Sequence, residues 1–240
     1  MYEQATFHVR SDLAAAHEQA FQRLAQAGTW FTGAERLAIA RETRHARHCT
    51  LCAEQKAALS PTQVTGNHDS LGDLAPALVE QVHRIATDPG RLTERWCHGL
   101  LAEGLDDTRY VEAVSVIATT IAVDTFARGI GAAEAALPEP VAGEPSRHRP
   151  ASAVLEGSWV PTIPRGAHTG PEADLYAGGF VPNVRRAMSL VPDAVRHFFA
   201  LLSTQYLANL GFGEETGRAI SRAQIELLAA RVSALNRCFY

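Results

Sequence analysis

The sequence predicts an all-α protein, and three observations carry that prediction. Two capping boxes, Thr32 to Glu35 and Ser221 to Gln224, are each followed by apolar residues at helical spacing. No convincing run of alternating polar and apolar residues occurs in the first half, so strands are not expected there. Eight of the twelve prolines lie between Leu137 and Asn183, which predicts an irregular connector between two helical parts.

The first three helices are predicted from composition, capping and stop signals. Leu13–Leu24 is rich in alanine, glutamate and glutamine. Glu35–Leu59 follows its capping box and ends before Pro61. Ala75–Thr87 carries apolar residues on one face and stops at an Asp-Pro-Gly sequence.

Two further helices complete the first part. Thr93–Ala102 is predicted to end with Gly104 as its C-terminal cap. Tyr110–Arg128 is a long apolar helix, in which Asp124 is expected to pair with Arg128 one turn later.

Helical patterning returns after the connector. It predicts helices over Val184–Leu190 and Asp193–Leu210 and a last helix that begins at Ser221. That helix ends in mid-pattern, so we expect a truncated unit whose exposed apolar face causes self-association. In the connector, Trp159, Ile163, Tyr176 and Phe180 are expected to dock on other parts of the protein.

These patterns divide the chain into three predicted segments. Residues 1–136 form a first helical domain, residues 137–182 the proline- and glycine-rich connector, and residues 183–240 the start of a second helical domain.

Composition narrows the class of protein. The chain has 240 residues, 46% hydrophobic and 20% charged, with a net charge of −4 and no basic stripe, so nucleic-acid binding is not expected. The N-terminus lacks the apolar core of a leader, and the longest near-apolar stretch, Ala113 to Val123, is too short to span a bilayer. Four cysteines are too few for a disulfide framework, and we expect a cytoplasmic protein that binds no membrane.

The close pair Cys49 and Cys52 is the first candidate for chemistry. A Cys-x-x-Cys pair at a helix start favours a thiolate, which the second thiol can resolve after oxidation. Arg47, His48 and Lys56 bring positive charge nearby. A packing pair and half of a zinc site remain alternatives.

Four possible zinc ligands lie close together in the sequence. His45, His48, Cys49 and Cys52 lie within eight residues, but on one short helix they all approach from one side and cannot easily surround a tetrahedral ion. We therefore predict no metal site, although Cys97 and His98 are noted as a further ligand source. His68 is expected to be a loop feature.

A second candidate repeats the first. Cys238 follows the Ser221 cap by seventeen residues, as Cys49 follows Thr32. Glu226 lies in the first turn of the last helix, where the helix dipole favours a carboxylate. Alternatively, Glu226 passes a proton to or from the thiol of Cys238.

The last helix resembles the core helix of the alkylhydroperoxidase AhpD and carboxymuconolactone decarboxylase superfamily. The peroxidase branch has a Glu, then Cys-x-x-Cys after eleven residues, then a His. Glu226 and Cys238 match its first two elements. The earlier copy is similar more loosely, since Leu37 stands in place of the Glu and Lys56 in place of the His.

The resemblance implies two AhpD-like helical units, the second incomplete, and a thiol-dependent hydroperoxide or disulfide reductase. It implies that Cys52 attacks the peroxide and Cys49 resolves in the first unit. In the second unit it implies that Cys238 is the resolving thiol, with Glu226 in the proton relay. It also implies a hydroperoxide substrate, a dithiol or protein reductant, a homo-oligomer and no bound cofactor. Three alternatives stay open: a carboxymuconolactone decarboxylase-like enzyme, a catalytically inactive oligomerisation or scaffold protein, and a zinc-binding structural module.

Overall fold

The computed structural model of the protein describes residues 1–2, 5–176, 181–206, 217–236 and 238. Within these residues the protein is all-α, as predicted, and the backbone forms no sheet. The α-helices in chain order are α1 (Ser11–Leu24), α2 (Gly33–His45), α3 (Thr50–Ala57), α4 (Pro76–Thr87), α5 (Glu94–Ala102), α6 (Asp107–Gly129), α7 (Asn183–Arg186), α8 (Pro192–Gln205) and α9 (Arg222–Leu235).

Both predicted capping boxes are present. The Thr32 hydroxyl accepts a hydrogen bond from the backbone N–H of Glu35, and the Glu35 carboxylate accepts one from the N–H of Thr32. Ser221 and Gln224 make the same reciprocal pair at the start of α9. Gly104 ends α5 with a positive φ of 98°, a conformation that glycine adopts without steric cost.

The predicted helix Glu35–Leu59 is divided in the structure. α2 ends at His45, a 3₁₀ turn covers Ala46–His48, and Cys49 has the extended backbone of an N-cap before α3. The carboxylate of Asp69 accepts a hydrogen bond of 3.0 Å from the N–H of Thr50. The free N–H at the new helix start is thus satisfied by a side chain from outside the helix. Capping signals within the predicted segment did not reveal this helix start.

α6 is the central helix of the core and packs against α2, α4 and α8. By length and composition it is also apolar enough to cross a membrane, but 67% of its most apolar window is buried within the protein. A helix that is apolar on most sides is expected at the centre of a packed core.

One hydrophobic core joins residues from all three predicted segments. It includes Leu37 and Ile117 from the first, Ile163 from the connector, and Leu190 and Val195 from the third, all at most 2% exposed. α1 packs against α8 across this core.

The connector is irregular, as expected, but it is held to the helices. The N–H groups of Val141 and Arg147 donate to the carbonyls of Ala25 and Thr29, each at 2.8 Å. Of its predicted docking residues, Ile163 and Tyr176 are buried, and the Tyr176 hydroxyl donates to the Ile163 carbonyl. Trp159 is 36% exposed, and Phe180 lies outside the described residues.

The C-terminal helices follow the predicted order with different limits. α7 covers four residues, where a helix over Val184–Leu190 was predicted. The predicted end of α8, residues 207–210, lies outside the described residues. α9 buries Ile225 but exposes Leu227, Leu228, Val232 and Leu235, so the predicted apolar face is present.

The expected pairing of Asp124 with Arg128 is wrong. Asp124 accepts two hydrogen bonds of 2.8 Å from Arg44 on α2. Arg128 instead donates to Glu134 at 2.6 Å. Asp124 is buried between helices and Arg128 is exposed. Asp124 therefore pairs with Arg44 of the neighbouring helix α2 instead of with Arg128 one turn away on its own helix.

Candidate functional site

Cys49 and Cys52 lie where the chain passes from α2 into α3. Cys49 is the N-cap of α3 and Cys52 lies in its first turn. Each is 2% exposed, and both pack against Leu51 and Val64. The two thiols are therefore close together in a pocket from which bulk water is largely excluded.

Two histidines from other elements face these thiols. Nδ1 of His68 lies 3.5 Å from Sγ of Cys49 and 3.4 Å from Sγ of Cys52. Nδ1 of His83 lies 3.3 Å from Sγ of Cys52. The two sulfurs and two Nδ1 atoms all lie within 4.8 Å of one another. We call Cys49, Cys52, His68 and His83 the Cys2His2 cluster.

Each histidine is anchored by a carboxylate on its far side. Nε2 of His83 lies 2.8 Å from Oε1 of Glu42, and neither side chain is exposed. Nε2 of His68 lies 2.7 Å from Oε2 of Glu80. The other oxygen of Glu80 accepts a hydrogen bond from the indole of Trp96. These contacts fix both rings so that Nδ1 points toward the sulfurs.

The backbone around His68 is held by the same elements. Residues 64–75 form no helix or strand. The second oxygen of Glu42 accepts a hydrogen bond of 3.1 Å from the N–H of Leu71, while Asp69 caps α3. Glu42 on α2 therefore positions both His83 and the segment that carries His68.

The two histidines differ in charge. Burial lowers the pKa of His68, but hydrogen bonds to the Cys52 thiol and the Glu80 carboxylate outweigh it and raise the pKa to about 10. Burial lowers the pKa of His83 more than its hydrogen bond to Glu42 raises it. At neutral pH the site contains one imidazolium and one neutral imidazole.

Cys49 is the thiol whose ionisation the site favours. Burial raises its pKa, but the N–H of Cys52 and the imidazole of His68 stabilise the thiolate and lower the pKa overall. The arrangement offers a thiol of lowered pKa beside a cation, a second thiol, and an oriented neutral imidazole. Such a set can perform two-electron thiol chemistry, and it can also provide sulfur and nitrogen ligands to a metal.

The structure does not bring the second predicted pair to this cluster. Glu226 accepts a hydrogen bond of 2.6 Å from the Tyr206 hydroxyl and lies 3.5 Å from Arg222. Cys238 is exposed beyond the end of α9. Within the described part of the chain, no hydrogen bond or ion pair links Glu226 or Cys238 to Cys49 or Cys52.

The neighbouring residues considered in the sequence take other positions. His48 and Lys56 are exposed, and His45 is half-buried with its ring 6.5 Å from that of His83. Cys97 is fully buried, and burial raises the pKa of its thiol. His98 contacts the Trp159 carbonyl at 3.1 Å. Among the described residues, none of these belongs to the cluster.

Sequence reasoning missed His68, His83 and their carboxylates Glu42 and Glu80. One signal was available for His68, which follows Cys52 after fifteen intervening residues, a spacing found in zinc sites. No local pattern marks His83, because its position on α4 faces the thiols only after α3 and α4 pack together.

Comparison with known proteins finds no matching family model, no similar curated protein and no similar solved structure. The geometry of the Cys2His2 cluster and its carboxylates is therefore the basis for inferring a function.

Proposed function

We propose that the protein is a thiol-dependent reductase of hydroperoxides or disulfides, in which Cys49 and Cys52 carry the two-electron chemistry. The observation that carries the proposal is a chain of three side chains. Cys52 Sγ lies 3.3 Å from His83 Nδ1, and His83 Nε2 lies 2.8 Å from Glu42. A thiol, a base and a group that orients the base form the usual set for an activated nucleophile.

The AhpD-like resemblance supports this proposal. The proposal, however, assigns the acid and the histidine to residues other than those at the positions of the AhpD-like pattern. Leu37 and Lys56 stand where that pattern has its acid and its histidine. Leu37 is part of the apolar core and Lys56 is exposed. Glu42 and His83 supply a carboxylate and an imidazole from different positions in the chain.

Proton transfer follows from the orientation of His83. Because Glu42 accepts the hydrogen bond from Nε2–H, the lone pair of Nδ1 faces Cys52 and can take its proton. The Cys52 thiolate attacks the terminal oxygen of the hydroperoxide and the O–O bond breaks. Cys52 becomes a sulfenic acid, and the leaving alkoxide takes a proton from His83 to become an alcohol.

Cys49 completes the reaction. Its thiolate attacks the sulfenic sulfur of Cys52, an S–S bond forms, and the hydroxide leaves as water with a proton from His68. Two thiols and one hydroperoxide thus give one disulfide, one alcohol and one water. A dithiol or protein reductant then reopens the disulfide by thiol exchange.

Burial limits the substrate. Both thiols are 2% exposed, and both contact the ring of His68, which residues 64–75 carry. Because the thiols are buried, the proposal favours small hydroperoxides as the oxidising substrate.

The test is the thiol state of metal-free, reduced protein before and after one equivalent of tert-butyl hydroperoxide, read by alkylation and intact mass. We expect the wild type to lose two of its four alkylatable thiols and Cys52→Ser to form no internal disulfide. Glu42→Gln should slow the loss by about 10²–10⁴-fold, because it removes the carboxylate that orients the base.

Cys97→Ser is the matched control, since Cys97 is also a buried free thiol but lies outside the cluster. It should react as the wild type does. Unchanged thiols in the wild type, or an equal rate in Glu42→Gln, would contradict the proposed function.

A further inference from the structure

We propose that the Cys2His2 cluster is a tetrahedral binding site for Zn²⁺. This inference goes beyond the proposed redox function and does not depend on it, since metal binding requires no oxidant and no turnover.

The spacing of the donor atoms supports a zinc site. With Zn–S and Zn–N bonds of about 2.3 and about 2.05 Å, a regular tetrahedron has S···N edges of about 3.6 Å. Three of the four S···N pairs in the cluster are separated by 3.3, 3.4 and 3.5 Å. These three separations are therefore close to the edges of a zinc coordination shell, and all four donor atoms lie within 4.8 Å of one another.

The contacts among the four donor atoms also link them into one group. Nδ1 of His68 contacts both sulfurs, and Sγ of Cys52 contacts both Nδ1 atoms. Separate thiol–imidazole hydrogen bonds would explain each distance, but they do not require all four atoms to lie within 4.8 Å of one another. A single ion at the centre accounts for the whole set.

The carboxylates that hold the Nε2 atoms of both histidines also favour a zinc site. Histidines that bind zinc commonly donate their other ring N–H to a carboxylate, which fixes the ring and strengthens the ligand. Glu42 and Glu80 hold Nε2 of His83 and His68 in this way, at 2.8 and 2.7 Å. Both Nδ1 atoms point toward the sulfurs. A bound metal would take the place of the protons on Nδ1 of His68 and on the thiols.

The donors also select the class of metal. Two thiolates and two imidazoles suit zinc and related borderline or soft cations, whereas magnesium and calcium prefer oxygen ligands. Four protein ligands leave no open coordination position, which is typical of a structural site. The four ligands are not confined to one short helix, because His68 comes from residues 64–75 and His83 from α4.

Such a site would tie residues 64–75 to α3 and α4. His68 lies in a segment without regular secondary structure, so its position depends on side-chain contacts. Zinc bound to both thiols would also protect them from oxidation. The zinc-bound form and the metal-free dithiol of the proposed function are therefore alternative states of one site.

The experiment uses the untagged full chain, reduced and stripped of metal, then dialysed against ZnCl₂ and freed of excess metal. We expect one zinc per chain by elemental analysis. Co²⁺ in place of zinc should give the strong visible bands of a tetrahedral ion and thiolate-to-metal charge transfer in the near ultraviolet.

Variants separate the cluster from other cysteines and histidines. Cys52→Ser and His83→Ala should lose the bound metal, while Cys97→Ser and His48→Ala should retain one equivalent. Glu80→Gln should weaken zinc binding about 10–100-fold, because it loses the support behind His68.

The wild type alone can overturn the inference, even where a variant fails to fold. Less than a tenth of an equivalent of zinc, or cobalt spectra without thiolate charge transfer, would contradict it. Failure here is distinct from failure of the proposed function. Zinc binding without peroxide-dependent thiol loss leaves a structural zinc module, and thiol loss without zinc binding leaves a redox site.

Discussion

Asp124 provides a sharp test of how α2 and α6 are held together. Its side chain is 3% exposed and accepts two hydrogen bonds of 2.8 Å from Arg44. Replacing Asp124 with Ala removes both and leaves the Arg44 guanidinium partly buried without its main counter-charge. Breaking a buried ion pair by removing one partner costs about 3–5 kcal/mol.

The environment of Arg44 sets the cost at the lower end of this range. Arg44 is 20% exposed, keeps a hydrogen bond of 2.9 Å to the Ala135 carbonyl, and lies 3.7 Å from Glu134. We therefore expect Asp124→Ala to lower the free energy of unfolding by about 3 kcal/mol. In a domain of this size that corresponds to a fall in Tm of about 6–12 °C.

The assay is urea unfolding at pH 7, followed by circular dichroism, with Arg128→Ala as the matched control. Arg128 is 42% exposed and pairs with Glu134 near the surface, so its loss should cost less than about 1 kcal/mol. Equal costs for the two variants, or a larger cost for Arg128→Ala, would refute the argument from burial.

Two further predictions concern stability. A Cβ added at Gly33 would lie 1.9 Å from the Ala25 carbonyl oxygen, so Gly33→Ala should destabilise the protein by about 1–3 kcal/mol in urea unfolding. Gly99→Ala, in open space on α5, should instead be neutral or stabilising by up to about 1 kcal/mol; the same sign for both would contradict the prediction. Hydrogen bonds from Arg47 lower the pKa of Glu134 to about 2, against an unfolded value of about 4.3. A carboxyl group whose pKa is lowered in the folded state stabilises the fold at pH values above its unfolded pKa. The loss in urea midpoint caused by Glu134→Gln should therefore be largest at pH 7 and clearly smaller at about pH 3. The same loss at both pH values would count against this pairing.

The helices could largely be predicted from the sequence because their signals are local. A capping box joins groups three residues apart, so Thr32 and Ser221 mark the starts of α2 and α9 without reference to the rest of the fold. Gly104 ends α5 for the same reason, through its own backbone conformation. The division of the predicted second helix at Ala46–His48 was not predictable, because the new helix start at Thr50 is capped by Asp69, which lies outside that segment.

By itself, then, the sequence determined the all-α class, most helix positions and the close spacing of Cys49 and Cys52. Only the tertiary structure decided what those thiols meet, since His68 and His83 are brought to them by residues 64–75 and α4. It also placed Glu42, a residue of α2, 2.8 Å from Nε2 of His83, on the side of the ring away from the thiols. The physical reason is that backbone hydrogen bonding and capping act within about four residues, whereas the convergence of side chains depends on how whole helices pack.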